Sequence, residues 1–198
     1  MNFSAIDISL ILKAIKFAAQ KHQHQRRKNE WASPYINHLI AVSEILWEIG
    51  EVRDINTMVA AVLHDTIEDT DTSPEDLERI FGAKICAIVN EVTDDKRLPK
   101  QVRKRLQVEN AGHASFEARH IKLADKIANV QDIIDAPPTG WSLERRWEYI
   151  DWAEEVINRL RGSNAKLEQS FDEVCRAARR KLEQEKKEVY SELRNREE

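Results

Sequence analysis

The run His64-Asp65-Thr66-Ile67-Glu68-Asp69 gathers one imidazole and three carboxylates into a single short stretch. Helical spacing places Asp65 beside Glu68 and Asp69, and His64 above Glu68. Alone, a His-Asp pair reads as an ordinary helix end with solvated acids, but here two further residues join it. Asp125 stands in Lys122-Leu123-Ala124-Asp125-Lys126, inside an apolar helical pattern where an unpaired carboxylate is costly unless a metal or a cation satisfies it. His38 follows Tyr35-Ile36-Asn37 at the start of a third helix with a core face. Two imidazoles and two carboxylates from three helices make a mixed nitrogen and oxygen site for one divalent ion. With no sulfur and half the donors hard oxygens, Mn²⁺ or Fe²⁺ with waters in the open positions is favoured over a closed zinc site. Such an ion acidifies its water and polarises a phosphoryl oxygen, so the chemistry is phosphate hydrolysis. Glu68 and Asp69 are left to accept the water's proton and hold it in line, with Glu68 the better placed to face the water.

Cations flank these acids. Arg26-Arg27-Lys28 lies a few residues before His38, where a guanidinium can fork onto phosphate or stack on a purine and a lysine adds a point charge. Lys96, Arg97, Lys100, Arg103, Lys104 and Arg105 form a second basic region able to take a second phosphate group. Asn129, one turn after Asp125, points to the same mouth, where its amide is free for a ribose or phosphate; a plain helix-surface Asn fits the spacing as well. Trp141 and Tyr149 are candidates for a base pocket or for the core. His22, His24, His113 and His120 have no partners in the pattern and read as surface residues.

Helices must deliver all of these groups. Ile8, Ile11, Leu12, Ile15, Ala18 and Ala19 recur at helical intervals, and a second helix is expected over 35–49, stopped by Gly50. The stretch Ile55 to Leu63 is apolar nearly all round, as befits the middle of a core, and runs straight into His64 and Asp65. Ser73, Pro74 and Glu75 open another helix that Gly82 closes, and Ile85, Ile88, Val89 and Val92 stripe the next. A charged loop over 93–99 precedes a basic helix from Lys100. Phe116 to Ile134 follows as a helix, and Pro137, Pro138 and Gly140 break the pattern. Ser142 caps a helix ended by Gly162, and Ser163 is expected to cap the last. That last helix carries Leu167, Phe171, Val174, Ala178 and Leu182, after which the stripe fades. No period-two alternation or repeat is present, so the class is all-α: a compact multi-helix bundle with a single metal site between helices. One domain over 1–182 with a charged helical extension over 183–198 is expected.

Composition agrees with a globular chain of 198 residues, 41% apolar and 33% charged. A net charge of -4 argues against bulk nucleic-acid binding without excluding a local basic pocket for a small anion. Cys86 and Cys175 lie at apolar helical positions and read as buried thiols. No apolar run reaches membrane-span length and no signal-peptide pattern opens the chain, so no membrane partner and a cytoplasmic location are expected. The oligomeric state stays open.

The ordered set Gln25-Arg26-Arg27-Lys28, Pro34-Tyr35-Ile36-Asn37-His38, Leu63-His64-Asp65-Thr66-Ile67-Glu68-Asp69-Thr70, Glu91-Val92-Thr93-Asp94-Asp95-Lys96, Lys104-Arg105-Leu106-Gln107 and Lys122-Leu123-Ala124-Asp125-Lys126 resembles the HD superfamily of metal phosphohydrolases. Within it the chain is similar to the stand-alone alarmone hydrolases related to the hydrolase domain of RelA/SpoT proteins. The resemblance implies His38, His64, Asp65 and Asp125 as Mn²⁺ ligands and Glu68 with Asp69 as catalytic acids. It also implies Arg27 on the guanine, Lys28 at the nucleotide and Asn129 at the ribose. The implied reaction is hydrolysis of (p)ppGpp at the 3′-pyrophosphate to GDP or GTP and pyrophosphate, with no synthetase or regulatory region. Asn29, Ala128 and Gln131 depart from common family residues without touching the ligands. Two other readings are weighed: an HD nucleotide phosphatase acting on NADPH or another nucleotide, and an inactive nucleotide-binding regulatory module.

Overall fold

Several helix starts in the computed structural model, which describes residues 4–197, fall where a side-chain oxygen takes up a free N–H. Ser4 caps α1 (Ala5–Lys21), with Asp7 completing a capping box. Asp54 caps α3 (Ile55–Leu63), Ser73 caps α5 (Pro74–Phe81), Ser115 caps α8 (Phe116–Asp135) and Ser142 caps α9 (Leu143–Asn158). Between them lie α2 (Ile36–Glu44), the short α4 (Thr66–Asp69), α6 (Ala83–Val92) and α7 (Lys100–Ala111), and α10 (Ala165–Glu197) closes the order. Gly82 holds φ at +90° between α5 and α6, a conformation that L side chains avoid. Among the described residues the only β pairing is one isolated bridge, Arg26 to Pro34, so the all-α expectation stands.

The core forms around α8 and α3. α10 lies along α8, which also meets α2, α3 and α6, while α3 is enclosed by α1, α2 and α6. Every residue from Thr57 to Leu63 is buried, as the unbroken apolar run requires. The α10 stripe Leu167, Phe171, Val174, Ala178 and Leu182 is buried throughout. Beyond Leu182 the helix continues, and Glu185 grips the buried Arg146 guanidinium of α9. Cys86 and Cys175 are buried and free. Among the described residues, no helix is long and apolar enough to cross a membrane.

Four local expectations change. The α1 face turned inward centres on Ala14 and Ala18, both fully buried, while Ile8 and Leu12 are more than half exposed; small residues let α1 approach α3 closely. The helix expected over 35–49 is α-helical only to Glu44 and then widens to a π turn, Ile45–Ile49. There the N–H groups of Gly50 and Val52 take the carbonyls of Ile45 and Leu46, and Gly50 passes under Leu167 where a Cβ would lie 3.1 Å from that side chain. The continuous helix expected through His64 to Asp69 breaks after Leu63. Thr66 Oγ1 donates to the Leu63 carbonyl and His64 Nδ1 faces the Ala61 carbonyl, so side chains take up the carbonyls that would extend the helix. Asn164, not Ser163, caps α10, its Oδ1 accepting from the N–H groups of Lys166 and Leu167.

Phe171 is fully buried where α10 meets the core, so Phe171→Ala should lower unfolding free energy by about 3–5 kcal/mol in urea titrations. Val189→Ala, on the exposed continuation of the same helix, should stay within about 0.5 kcal/mol of wild type.

Candidate metal centre

Three helix ends and one helix middle bring the predicted donors together. His38 lies in the first turn of α2, His64 and Asp65 form the corner between α3 and α4, and Asp125 is midway along α8. One ligand atom from each of His38, His64 and Asp65 lies within 4.8 Å of the others. Asp125 Oδ1 joins them at 3.1 Å from His38 Nε2 and 3.8 Å from His64 Nε2. Both imidazoles are buried, and the cluster opens into a pocket of about 140 Å³ that Glu68, Gln107, Lys122 and Asn129 also line.

The arrangement fits a divalent cation. His64 Nδ1 sits 2.8 Å from the Ala61 carbonyl, which leaves Nε2 as the free nitrogen. That Nε2 is buried without a hydrogen-bond partner among the described residues and faces Asp65 Oδ2 at 3.1 Å. Burial alone would lower the His64 pKa, yet the Asp65 carboxylate overrides it and raises the value to about 9. The protein in effect asks for a positive charge at the point where two carboxylates and an orphaned nitrogen converge. His38 shifts the other way, its pKa lowered by burial, which keeps it neutral and able to coordinate.

Supporting hydrogen bonds orient the carboxylates. Tyr35 OH donates to Asp65 Oδ2 at 2.7 Å. Lys126 Nζ donates to Asp125 Oδ2 at 2.9 Å, and Asn129 Nδ2 donates to Oδ1 at 2.6 Å. Although burial opposes ionisation, Lys126 and His38 hold Asp125 well below the usual carboxylate range.

Of the two remaining acids, only Glu68 faces the cluster pocket. Its Oε2 accepts from the Asp94 N–H at 2.9 Å, and burial pushes its pKa up to about 7. Asp69 turns instead toward a neighbouring lobe, where it accepts from Gln25 Nε2 at 2.6 Å and pairs with Lys96.

Two larger lobes flank the cluster. The first, about 390 Å³, is lined by Arg27, Lys28, Tyr35, Asn129, Trp141 and Tyr149 among others. The short bridge between Arg26 and Pro34 closes the loop that brings Arg27 and Lys28 there. Arg27 is pinned to Asp132 and donates to Asn129 Oδ1 at 2.9 Å, so the Asn129 amide joins Arg27 to Asp125. The second lobe, about 440 Å³, contains Lys100, Lys104, Arg103 and Arg145, and shares Lys28, Trp141 and Tyr149 with the first. Trp141 and Tyr149 thus line the pockets, their rings 5.7 Å apart.

Sequence reasoning missed several members. Tyr35, Gln25, Gln107 and Lys126 lay within the quoted motifs but were given no role, and Arg145, stacked on Trp141 at 4.4 Å, carried no signal beyond its charge. His22 is a correction: far from being a surface residue, it is buried, stacks on Tyr35 and meets Gln25 Oε1 at 2.6 Å. His120 is half-buried with Nε2 at 3.2 Å from the Ser163 carbonyl, whereas His24 and His113 are exposed as expected.

The family profile described as HD domain matches residues 14–150, which include every donor of the cluster. The chain belongs to the HD-domain family. This HD-domain chain is 48% identical over 174 residues to the guanosine-3′,5′-bis(diphosphate) 3′-pyrophosphohydrolase MESH1 of Danio rerio, a match covering 88% of the chain and 96% of the relative. It is 50% identical over 161 residues to MESH1 of Homo sapiens, covering 81% and 90%. A solved structure, of a metazoan ortholog of SpoT that hydrolyzes ppGpp and plays a role in starvation responses, superposes with a TM-score of 0.84 at 48% identity, covering 89% of this chain and 97% of the other. HD-domain membership brings with it a divalent metal, in keeping with the donor set.

A divalent cation should raise the melting temperature of the wild-type HD-domain chain, because ligand binding to the folded state alone stabilises it. Scanning calorimetry should show no such rise for Asp125→Ala. Glu68 supplies a second check in cation-free protein. Because its folded pKa is raised to about 7, the stability its proton brings is full below the ordinary glutamate range and is lost as pH rises through about 7. Glu68→Gln, always neutral, should therefore melt above wild type at about pH 8 and level with it near pH 4. An equal gap at both values would contradict the assignment.

Proposed function

We propose that this chain is a guanosine-3′,5′-bis(diphosphate) 3′-pyrophosphohydrolase, cytoplasmic and using Mn²⁺, that converts ppGpp or pppGpp to GDP or GTP and pyrophosphate. The observation that carries this reading is the pair of lobes flanking the His38, His64, Asp65 and Asp125 cluster, in a chain about half identical to hydrolases of that name. Those four residues would hold the cation. Oxygen donors and the lack of sulfur favour Mn²⁺, with Fe²⁺ next. When bound, the cation supplies Lewis acidity toward a phosphoryl oxygen and lowers the pKa of water.

The remaining work falls to the chain's own side chains. Glu68, held by the Asp94 N–H, stands in the pocket with a pKa suited to accept the proton of the attacking water. Asp69 is the second acid in this reading and acts through Gln25 and Lys96 on the lobe wall. Arg27, Tyr149 and Trp141 present planar faces for a guanine, with Asn129 toward the ribose. Lys28, Lys100 and Lys104 supply point charges for the 5′-phosphates, and burial followed by Arg145 and Lys28 lowers the Lys100 pKa, the mark of a cation crowd awaiting an anion.

With cation-loaded protein, chromatography should show ppGpp converted to GDP and pyrophosphate. Glu68→Gln should slow turnover roughly 10²- to 10⁴-fold while leaving substrate affinity nearly unchanged. Intact ppGpp beside dephosphorylated NADPH would replace the substrate, and full turnover by Glu68→Gln would remove the proton acceptor.

A further inference from the structure

Three side chains of α8, one turn apart, enter the site in order. Asn129 lines both the first lobe and the cluster pocket, Asp125 belongs to the cluster, and Lys122 lies on the far side. At a rise of ~1.5 Å per residue, Asn129 stands about 6 Å before Asp125 and Lys122 about 4.5 Å beyond it. Lys122 forms part of the wall between the cluster pocket and a cavity of about 410 Å³ that also reaches Asp94, Arg103 and Gln107.

Neighbouring cations are already engaged. Lys126 bonds Asp125, Arg27 pairs with Asp132, Lys96 with Asp69, and Arg103 lies 3.6 Å from Glu68. No hydrogen bond or ion pair ends on the Lys122 ammonium among the described residues, although the residue is half-buried. Burial, with Lys126 next, holds its pKa below the usual lysine range. Asp94, Asp125 and Glu68 act on it through space, but none is bonded to it, and a half-buried ammonium without a bonded anion is suited to take one from a ligand.

We propose that Lys122 binds the outer phosphate of the substrate's 3′-pyrophosphate, the part that leaves. This rests on the functional reading above. With the nucleoside at Asn129 and the inner phosphorus level with Asp125, the outer phosphate falls one turn further along α8. Water oxygen bonds the inner phosphorus, the bond from phosphorus to the 3′-oxygen breaks, and its electron pair stays on that oxygen, which takes up a proton. Glu68 accepts the water's proton, and pyrophosphate departs carrying the water oxygen with Lys122 balancing its charge.

Calorimetric titration of cation-loaded protein with inorganic pyrophosphate and, separately, GDP tests this. Lys122→Met should weaken pyrophosphate binding roughly ten- to a hundred-fold and leave GDP within about twofold. Lys122→Arg should restore most of the loss, and kcat/KM for ppGpp should fall in step with pyrophosphate affinity. Equal weakening of both ligands, or no change in either, would overturn the proposal, since a merely structural lysine does not distinguish them. Wild-type protein that binds pyrophosphate through Lys122 yet leaves ppGpp intact would overturn the substrate reading alone. Wild-type hydrolysis of ppGpp with pyrophosphate binding indifferent to Lys122 would overturn the lysine's role alone.

Discussion

Two carboxylates, Asp65 and Asp125, are held against two buried imidazoles where the start of α2 and the end of α3 meet the middle of α8, and the charge they carry has to be balanced. The surrounding structure can be read as the answer to that demand. Asp125 accepts from Lys126 and Asn129, and Asp65 from Tyr35. Each partner is anchored elsewhere: Asn129 to Arg27, Lys126 over the Trp152 ring, and Tyr35 against His22. What remains is an unpartnered His64 nitrogen facing carboxylate oxygen, a deficit that a divalent cation fills.

The same bonds that hold the cluster shape the lobes around it. Arg27, Asn129 and Asp125 form one connected line from the first lobe to the cluster. Gln25 joins His22 to Asp69, and the Asp94 N–H fixes Glu68, so the loops at 22–35 and 93–99 are tied to the acids of α4. A ligand spanning both lobes would thus lie across one hydrogen-bonded network. Positioning of this kind is where most of the catalytic gain in phosphoryl transfer arises.

Much of this was legible in the sequence because it depended on local pattern. The apolar run ending at His64, the serine caps and the α10 stripe are short-range signals, and the helices formed where those signals fell. Convergence of His38, His64, Asp65 and Asp125 followed from carboxylates and imidazoles set in apolar helices. Features decided by tertiary packing were not legible. The π turn depends on Leu167 above Gly50, the inward face of α1 on close approach to α3, and the burial of His22 on the ring of Tyr35. Glu68, the acid the spacing favoured, does line the cluster pocket, whereas the bonds of Asp69 to Gln25 and Lys96 in the neighbouring lobe come from distant loops and carried no local signal.

Anomalous diffraction from crystals of the wild-type protein soaked in Mn²⁺ measures the central claim most directly. The account predicts one strong peak per chain within coordination distance of His38, His64, Asp65 and Asp125, with the His64 ring bound through Nε2. A peak on another donor set, or a lasting absence of any peak at this cluster, would contradict it.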